Sequence, residues 1–386
     1  MLEWRVPLSD IDYGPEEEAA VLRVLKSRWF SMGPEVQAFE AEFAAMQSAK
    51  FAFAVTNGTA GLHLSLVALG IGPGDEVIQP ALNFVAAANM TVALGATPVF
   101  ADVVGLEEPT IDPNDAERLI TPKTKAIIVM HYGGNLCRMS VLSEICKRHR
   151  IALIEDACHA VGAVYRNPDQ SPPHGAMAGS IGDVGTFSFF SNKNLATGEG
   201  GMVVTNRDDL AAKFRLLRSH GMTTLTWDRH RGHASSYDVV SNGYNYRLDE
   251  IHAALGRAQL IKLARNNDRR RLLLGHYSRE LKDLAGWTIP FVGSGGDSSA
   301  HLMVAVAPTA AVRTKVVERL REARIQTSLH YPCISDFEAF VRWRTDSVSH
   351  TRKFQQLAIT LPLFPTMSVS QVELVCAIIK TDGRIS

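Results

Sequence analysis

No sign of charge predominates in this chain of 386 residues: Lys plus Arg and Asp plus Glu number 40 each. A zero balance lacks the electrostatic footprint of a general nucleic-acid or membrane-surface binder. Cysteine is sparse and unpatterned. Cys137, Cys146, Cys158, Cys333 and Cys376 are scattered, odd in number and contain no Cys-x-x-Cys pair. That argues against a disulfide framework or a zinc site and for reduced thiols in a cytoplasm. The thirteen histidines include no His-Glu-x-x-His arrangement, so no metal is expected. The opening Met1-Leu-Glu-Trp-Arg-Val-Pro7 has no apolar run of the signal-peptide kind. Residues 84–103 are apolar but interrupted by Asn89, Gly95 and Pro98, and read as a helix followed by a strand rather than a membrane span. There is no internal repeat and no long low-complexity tract.

What the chain does have is an alternation of short apolar segments and helical patterns. At 46% hydrophobic it can bury a large core, and its length suggests two domains. Strands are predicted at 51–55, 75–79, 97–101, 125–130, 151–155, 184–190 and 201–205. Helices are predicted at 15–26, 60–70, 84–94, 139–149 and 208–217. Such an order argues for an α/β fold, a mainly parallel sheet sandwiched by helices. Tyr165 to Gly182 is polar and rich in Pro and Gly, a surface loop leading back to the site. The organisation then changes. A long charged helix is predicted over about 251–285, followed by strands at 286–290, 301–307 and 326–330 and helices at 310–323, 350–358 and 369–380. The expected division is a large α/β domain, 1–250, and a smaller α+β domain, 251–386. The basic run Arg269-Arg270-Arg271 reads as a solvated helix face.

Lys193 carries the strongest chemical signal. In Thr186-Phe-Ser-Phe-Phe-Ser-Asn-Lys-Asn-Leu-Ala-Thr-Gly-Glu-Gly-Gly201 it follows an aromatic strand and precedes a glycine-rich turn. Lysine is costly to desolvate and rarely sits at such a place for packing alone. An amine with a lowered pKa can form a Schiff base with an aldehyde cofactor; the plain alternative is a surface lysine in a loop. Ile151-Ala-Leu-Ile-Glu-Asp156 reads as a buried parallel strand with two carboxylates at its C-terminal edge, where open α/β sheets bind ligands. Asp156 is the candidate partner for a pyridinium nitrogen; capping of the next helix is its alternative. Val55-Thr-Asn-Gly-Thr-Ala-Gly-Leu62 places a Gly-Thr turn between a strand and a helix, which directs backbone N–H groups at an anion. No Gly-Lys-Ser/Thr follows, so it is not a Walker loop.

These segments stand in a series with Trp29-Phe-Ser-Met-Gly-Pro-Glu-Val36, Phe39-Glu-Ala-Glu-Phe43, Gly74-Asp-Glu-Val-Ile78, Asn83-Phe-Val-Ala86 and Gly95-Ala-Thr-Pro-Val-Phe-Ala-Asp102. Glu155-Asp-Ala-Cys-His-Ala160, Gly182-Asp-Val-Gly185, Gly243-Tyr-Asn-Tyr-Arg-Leu-Asp-Glu-Ile251 and Leu361-Pro-Leu-Phe-Pro365 continue it. In order and spacing, over nearly the whole chain, the series resembles the DegT/DnrJ/StrS aminotransferases of nucleotide-activated keto sugars and keto cyclitols. The resemblance implies a fold-type I enzyme with a seven-stranded sheet, dependent on pyridoxal 5'-phosphate and carrying the amino group as pyridoxamine phosphate. It implies L-glutamate as donor, a nucleotide-sugar substrate, and a cytoplasmic homodimer with shared active sites.

On that resemblance Lys193 holds the cofactor and moves the proton, Asp156 keeps the ring nitrogen protonated, and His159 reaches the phenolic oxygen or a neighbouring group. Phe84 stacks on the ring. Gly58, Thr59 and Ala60 give N–H or hydroxyl donors to the phosphate, Ser188 is a further phosphate ligand, and Asn245 crosses to the partner's phosphate. Arg247 supports its turn or the interface. His330 and Tyr331 match a His-Tyr-Pro segment at the sugar site, but the usual continuation is altered: Cys333 follows, and Phe337 stands where a histidine is expected. Asn192 also occupies a position where other residues are common.

Histidine at position 159 is frequent in relatives that aminate C-4 of a sugar, glutamine in those acting at C-3. The expected acceptor is therefore a dTDP-4-keto-6-deoxyhexose, in deoxyaminosugar biosynthesis for an antibiotic or polysaccharide. A C-3 keto sugar or a scyllo-inosose-type keto cyclitol is the alternative. Dehydratases of the same fold replace the lysine with histidine, which Lys193 speaks against. Regulators that bind the cofactor without turnover usually carry an added DNA-binding segment, whereas here the enzyme-like region begins almost at the first residue.

Overall fold

Short apolar runs bounded by glycine and proline turns become the strands of one sheet. A computed structural model describes residues 3–166, 175–224, 227, 230–232, 236–292 and 296–383; the middle of the expected 165–182 loop lies outside them. The strands are β1 (Phe51–Val55), β2 (Glu76–Pro80), β3 (Thr97–Ala101), β4 (Thr124–Met130), β5 (Ala152–Asp156), β6 (Val164–Tyr165), β7 (Val184–Ser188) and β8 (Gly201–Thr205). All but β6 form a seven-stranded sheet in the order β1-β8-β7-β5-β4-β2-β3. β8 runs antiparallel to both neighbours, and every other pair is parallel. The interior strands are almost continuously buried, as expected of a sheet covered on both faces. Register aligns Asp156 with Met130 on one side and Thr186 on the other, so the C-terminal ends of β4, β5 and β7 share one edge.

Helix starts follow local chemistry. α1 (Pro15–Ser27) begins with proline at its first position, where the missing N–H is harmless, and the Gly14 N–H donates to Glu17 Oε2 at 2.8 Å. α2 (Pro34–Met46) starts the same way but is capped from far along the chain. The Glu250 carboxylate accepts from the N–H groups of Gly33 (2.8 Å), Glu35 (2.9 Å) and Val36 (3.0 Å). α3 (Gly58–Ala68) is capped by Asn57, and α4 (Ala86–Ala93) follows β2.

A 32-residue helix, Glu250–Leu281, runs past two cores. Ala253 and Leu263 pack beneath the large sheet with Phe39, Phe43 and Phe187. Leu273, Tyr277 and Leu281 join a second core built on β10 (Met303–Val306) and β11 (Ala358–Leu361), which are antiparallel, and on the helices Ala310–Glu322 and Val369–Asp382. A two-residue strand, β9 (Gly296–Asp297), pairs with β6. Val6 belongs to the second core and bridges to Ile325.

Three readings of the sequence need correction. Strands expected at 286–290 and 326–330 are single bridges, Thr288 to Val306 and Ser328 to Thr360. β11 escaped notice because it follows the helix Ser349–Leu357 without a turn. The basic run is not a solvated face: Arg270 is 3% exposed and donates to the Leu363 carbonyl at 2.8 Å, while Arg269 and Arg271 donate to Met367 O and Ser298 O. Burial pulls the Arg270 guanidinium down to about 10, still charged near neutrality. No helix among the described residues is long and apolar enough to cross a membrane.

Glu250→Ala should lower stability by about 2 kcal/mol, since it strips three N–H groups, two of them buried, of their carboxylate acceptor. A denaturant midpoint equal to that of the parent protein would contradict this role.

Candidate active site

A cavity of about 450 Å³ opens at the shared strand edge. Lys193, Asp156, His159, Gly58, Thr59, Ser188, Phe84, His330 and Tyr331 all line it. Ala60 does not, and neither does Asn245, which was expected at the partner subunit's phosphate rather than here. Asn245 is exposed on the chain surface and bridges to Ser219. Ala60 is turned inward, its N–H taken by Asn57 Oδ1 at 2.8 Å. With the Ala60 N–H engaged by the Asn57 cap, the first-turn N–H groups of Gly58 and Thr59 and the Thr59 hydroxyl are the groups of this helix start that line the cavity.

Lys193 sits on the connection between β7 and β8. Its N–H donates to Phe190 O (2.8 Å), and the Phe189 and Thr197 N–H groups reach Gly200 O and Phe189 O (2.8 Å each). The next residue, Asn194, is 7% exposed and anchors the turn. Its Nδ2 donates to Asn267 Oδ1 (2.8 Å) and Ser299 O (2.7 Å), and its Oδ1 accepts from His301 Nδ1 (2.9 Å). Asn267 Nδ2 in turn donates to Val161 O at 3.0 Å. Lys193 is partly open through the cavity mouth, yet its amine lies deep enough that burial lowers its pKa against the opposing pull of Cys158 and Asp156.

The two acids of β5 face opposite ways, as alternation requires. Asp156 turns into the cavity, with Oδ1 accepting from the Cys158 N–H at 3.2 Å. Glu155 is fully buried behind it. It accepts from the N–H groups of Gly179 (2.7 Å), Ile181 (2.7 Å) and Gly182 (2.5 Å) and from His131 Nε2 (2.9 Å). Asp156 is therefore the acid available to a ligand, and Glu155 fastens the turn that leads into β7.

His159 is 4% exposed. Its Nε2 lies 2.8 Å from Tyr331 Oη, and its ring packs against His301 with centroids 4.3 Å apart. Burial, then Lys193 and His330, hold it well below the usual histidine range. Burial also brings His330 to about 4. Phe84 is 55% exposed at the cavity wall, with its N–H donating to Asn83 Oδ1 at 2.6 Å. Cys333 and Phe337, where the sequence departs from the expected pattern, do not line the cavity. Cys333 is buried, and its N–H donates to Gln355 Oε1 at 2.7 Å. Sequence reasoning also passed over Asn57, Cys158 and Glu199. The Asn-Gly-Thr-Ala opening of α3 was a readable N-cap signal; the other two had none.

The residues fit pyridoxal phosphate. A desolvated amine and a carboxylate face one cavity, an aromatic ring flanks it, and a helix start provides an anion cradle. The cradle has no room for a side chain: a Cβ on Gly58 would lie 2.9 Å from Cys158 Sγ and 3.0 Å from Ser188 Cβ.

The sequence profile described as the DegT/DnrJ/EryC1/StrS aminotransferase family matches residues 12–380. Spore coat polysaccharide biosynthesis protein SpsC of Bacillus subtilis (strain 168) is 39% identical over 370 residues, 93% of this chain and 92% of that protein. S. venezuelae DesV, solved in complex with ketimine intermediate, superposes with TM-score 0.89 at 33% identity over all of both chains. The putative sugar aminotransferase Spr1654 of Streptococcus pneumoniae, solved in its PMP-form, gives TM-score 0.90 at 26% identity over 98% of this chain and 99% of its own. A PLP-form of that protein is also known.

Gly58→Ala should push Cys158 and Ser188 aside and weaken pyridoxal phosphate binding about tenfold, the scale of a modest steric clash. Fluorescence titration of the cofactor-free variant measures it, and unchanged affinity would remove Gly58 from the cradle.

Proposed function

We propose a reaction for this chain, which belongs to the DegT/DnrJ/EryC1/StrS aminotransferase family and is a pyridoxal phosphate-dependent aminotransferase. It moves the amino group of L-glutamate to C-4 of a dTDP-4-keto-6-deoxyhexose, in the making of a deoxyaminosugar. The observation that carries the chemistry is the Lys193 amine, its pKa lowered by burial, in the same cavity as Asp156. A sugar acceptor is supported by the SpsC and Spr1654 descriptions, and C-4 by the histidine at position 159.

Once bound, the cofactor supplies an electron sink for a carbon losing its proton. The chain's own groups do the rest. Asp156 pairs with the ring nitrogen and keeps it protonated. Gly58, Thr59 and Ser188 hold the phosphate, and Phe84 covers the ring. Lys193 Nζ takes the proton from the donor's α-carbon. In the second half it delivers a proton to the carbon that carried the ketone. An amine whose pKa is lowered towards the working pH suits both tasks.

The working unit in this reading is a cytoplasmic homodimer. Among the described residues lining the cavity, Lys193 is the one lysine or arginine, set against Asp156 and Glu199. Phosphate and donor carboxylates need more positive or N–H donor groups than that, and Asn245 of the partner subunit is the candidate for one.

Lys193→Ala should abolish transamination and the visible absorbance band of the loaded protein; full turnover in that variant would end the assignment. Asn245→Ala should lower cofactor retention on gel filtration, whereas a fully active monomer would remove the shared-site reading. The acceptor is tested in two stages. Protein loaded with pyridoxal phosphate is converted with L-glutamate, freed of donor, and given dTDP-4-keto-6-deoxyglucose. Return of the original absorbance with aminated sugar is expected. Conversion by glutamate without discharge by this sugar would overturn the C-4 reading and direct attention to 3-keto sugars and keto cyclitols.

A further inference from the structure

Hydrogen bonds around His159 fix the position of one proton. The Gly133 N–H donates to His159 Nδ1 at 3.4 Å, so Nδ1 carries no hydrogen. Burial beside Lys193 and His330 keeps the ring neutral near neutral pH. The single ring hydrogen is then on Nε2 and is donated to Tyr331 Oη, 2.8 Å away. Tyr331 Oη is an acceptor towards His159, which leaves its own hydrogen for another partner. Burial keeps the phenol protonated, and Tyr132, Asp156 and Cys158 act in the same direction.

The phenol is also held in place. Its ring lies 5.8 Å from that of His159 at 27° and 5.9 Å from that of Phe84. Tyr132 Oη donates to the carbonyl of the preceding His330, whose own ring meets Thr360 Oγ1 at 3.1 Å. His159 also packs against His301, whose Nδ1–H is committed to Asn194. Tyr331 lines the same cavity as Lys193, Asp156 and Phe84.

We propose that Tyr331 is a catalytic hydrogen-bond donor, aimed by His159 at an oxygen held beside Lys193. That oxygen is either the phenolic oxygen of pyridoxal phosphate or the keto oxygen of the acceptor. His159 is then a positioning residue: its N–H serves the tyrosine, and the tyrosine serves the ligand. The inference rests on the cofactor-dependent reading of the site but not on which sugar is aminated.

Tyr331→Phe removes one hydroxyl and little else. The variant and the parent are loaded with pyridoxal phosphate, and the visible absorbance is titrated against pH. A donor on the phenolic oxygen stabilises its anion, so losing it should raise the titration midpoint by about one pH unit, a tenfold change in the proton equilibrium. If the midpoint stays and only discharge of the pyridoxamine-loaded protein by a keto substrate slows, by about tenfold or more, the keto oxygen is the partner. His159→Phe should reproduce part of either effect, and His159→Gln, whose amide can again donate, should restore it. If neither titration nor discharge changes in Tyr331→Phe, the proposal fails. It also fails if His159→Phe moves the midpoint while Tyr331→Phe does not, because His159 then reaches the oxygen directly. Failure of the C-4 assignment looks different: a normal parent titration with no discharge by the sugar tested.

Discussion

The site depends on one buried amide. Asn194 uses both hydrogens of its Nδ2 and accepts a third bond at Oδ1, linking the lysine turn to the long helix, to Ser299 and to His301. Asn267 extends the link to Val161, just beyond β5. Four separate stretches of chain therefore meet at a point next to Lys193. In a site this closed, an unpaired amide would cost about as much as the bonds it now makes contribute. A lysine in a loop has many rotamers and a strong preference for water. Here its backbone is fixed on both sides, by Phe190 O before it and by Asn194 after it.

The same economy governs the carboxylates. One strand, β5, presents adjacent acids to opposite faces, and their surroundings give them different tasks. Glu155 has three backbone N–H donors and an imidazole, so it is satisfied without any ligand. Asp156 has one backbone donor and a cavity in front of it. The pair shows why a motif of two acids can carry one binding function and one structural one: the pleat alone separates them.

All seven strands of the large sheet were legible because each is a short apolar run between turn residues. Lys193 and Asp156 were legible as a costly amine and a strand-end acid. The details that failed are those set by distant partners. Arg270 looks like any basic helix position until Leu363, 93 residues later, brings a carbonyl to it. The 286–290 and 326–330 segments have strand-like composition, but each meets its neighbour through one residue pair. Tyr331 was placed at the site only by resemblance; its link to His159 spans 172 positions and leaves no periodic trace.

Because β8 is antiparallel to β7, the lysine turn joins two adjacent strands of the sheet instead of crossing over a helix. Closing that turn, residues 189–200, costs little chain entropy. Bringing Tyr331 to His159 costs more, because the loop to be closed is far longer. The two walls of the cavity therefore differ in the length of chain that has to be closed to bring them together. The lysine wall comes from a local strand pair, while Tyr331 packs with residues from both halves of the chain, among them Leu82, Met130, Tyr132, Val304 and Val306. The strand pair that flanks Lys193 is local, yet Asn194 finds its partners only in the long helix and at Ser299 and His301, so a nascent chain that ends at β8 does not yet hold the lysine turn as the folded chain does.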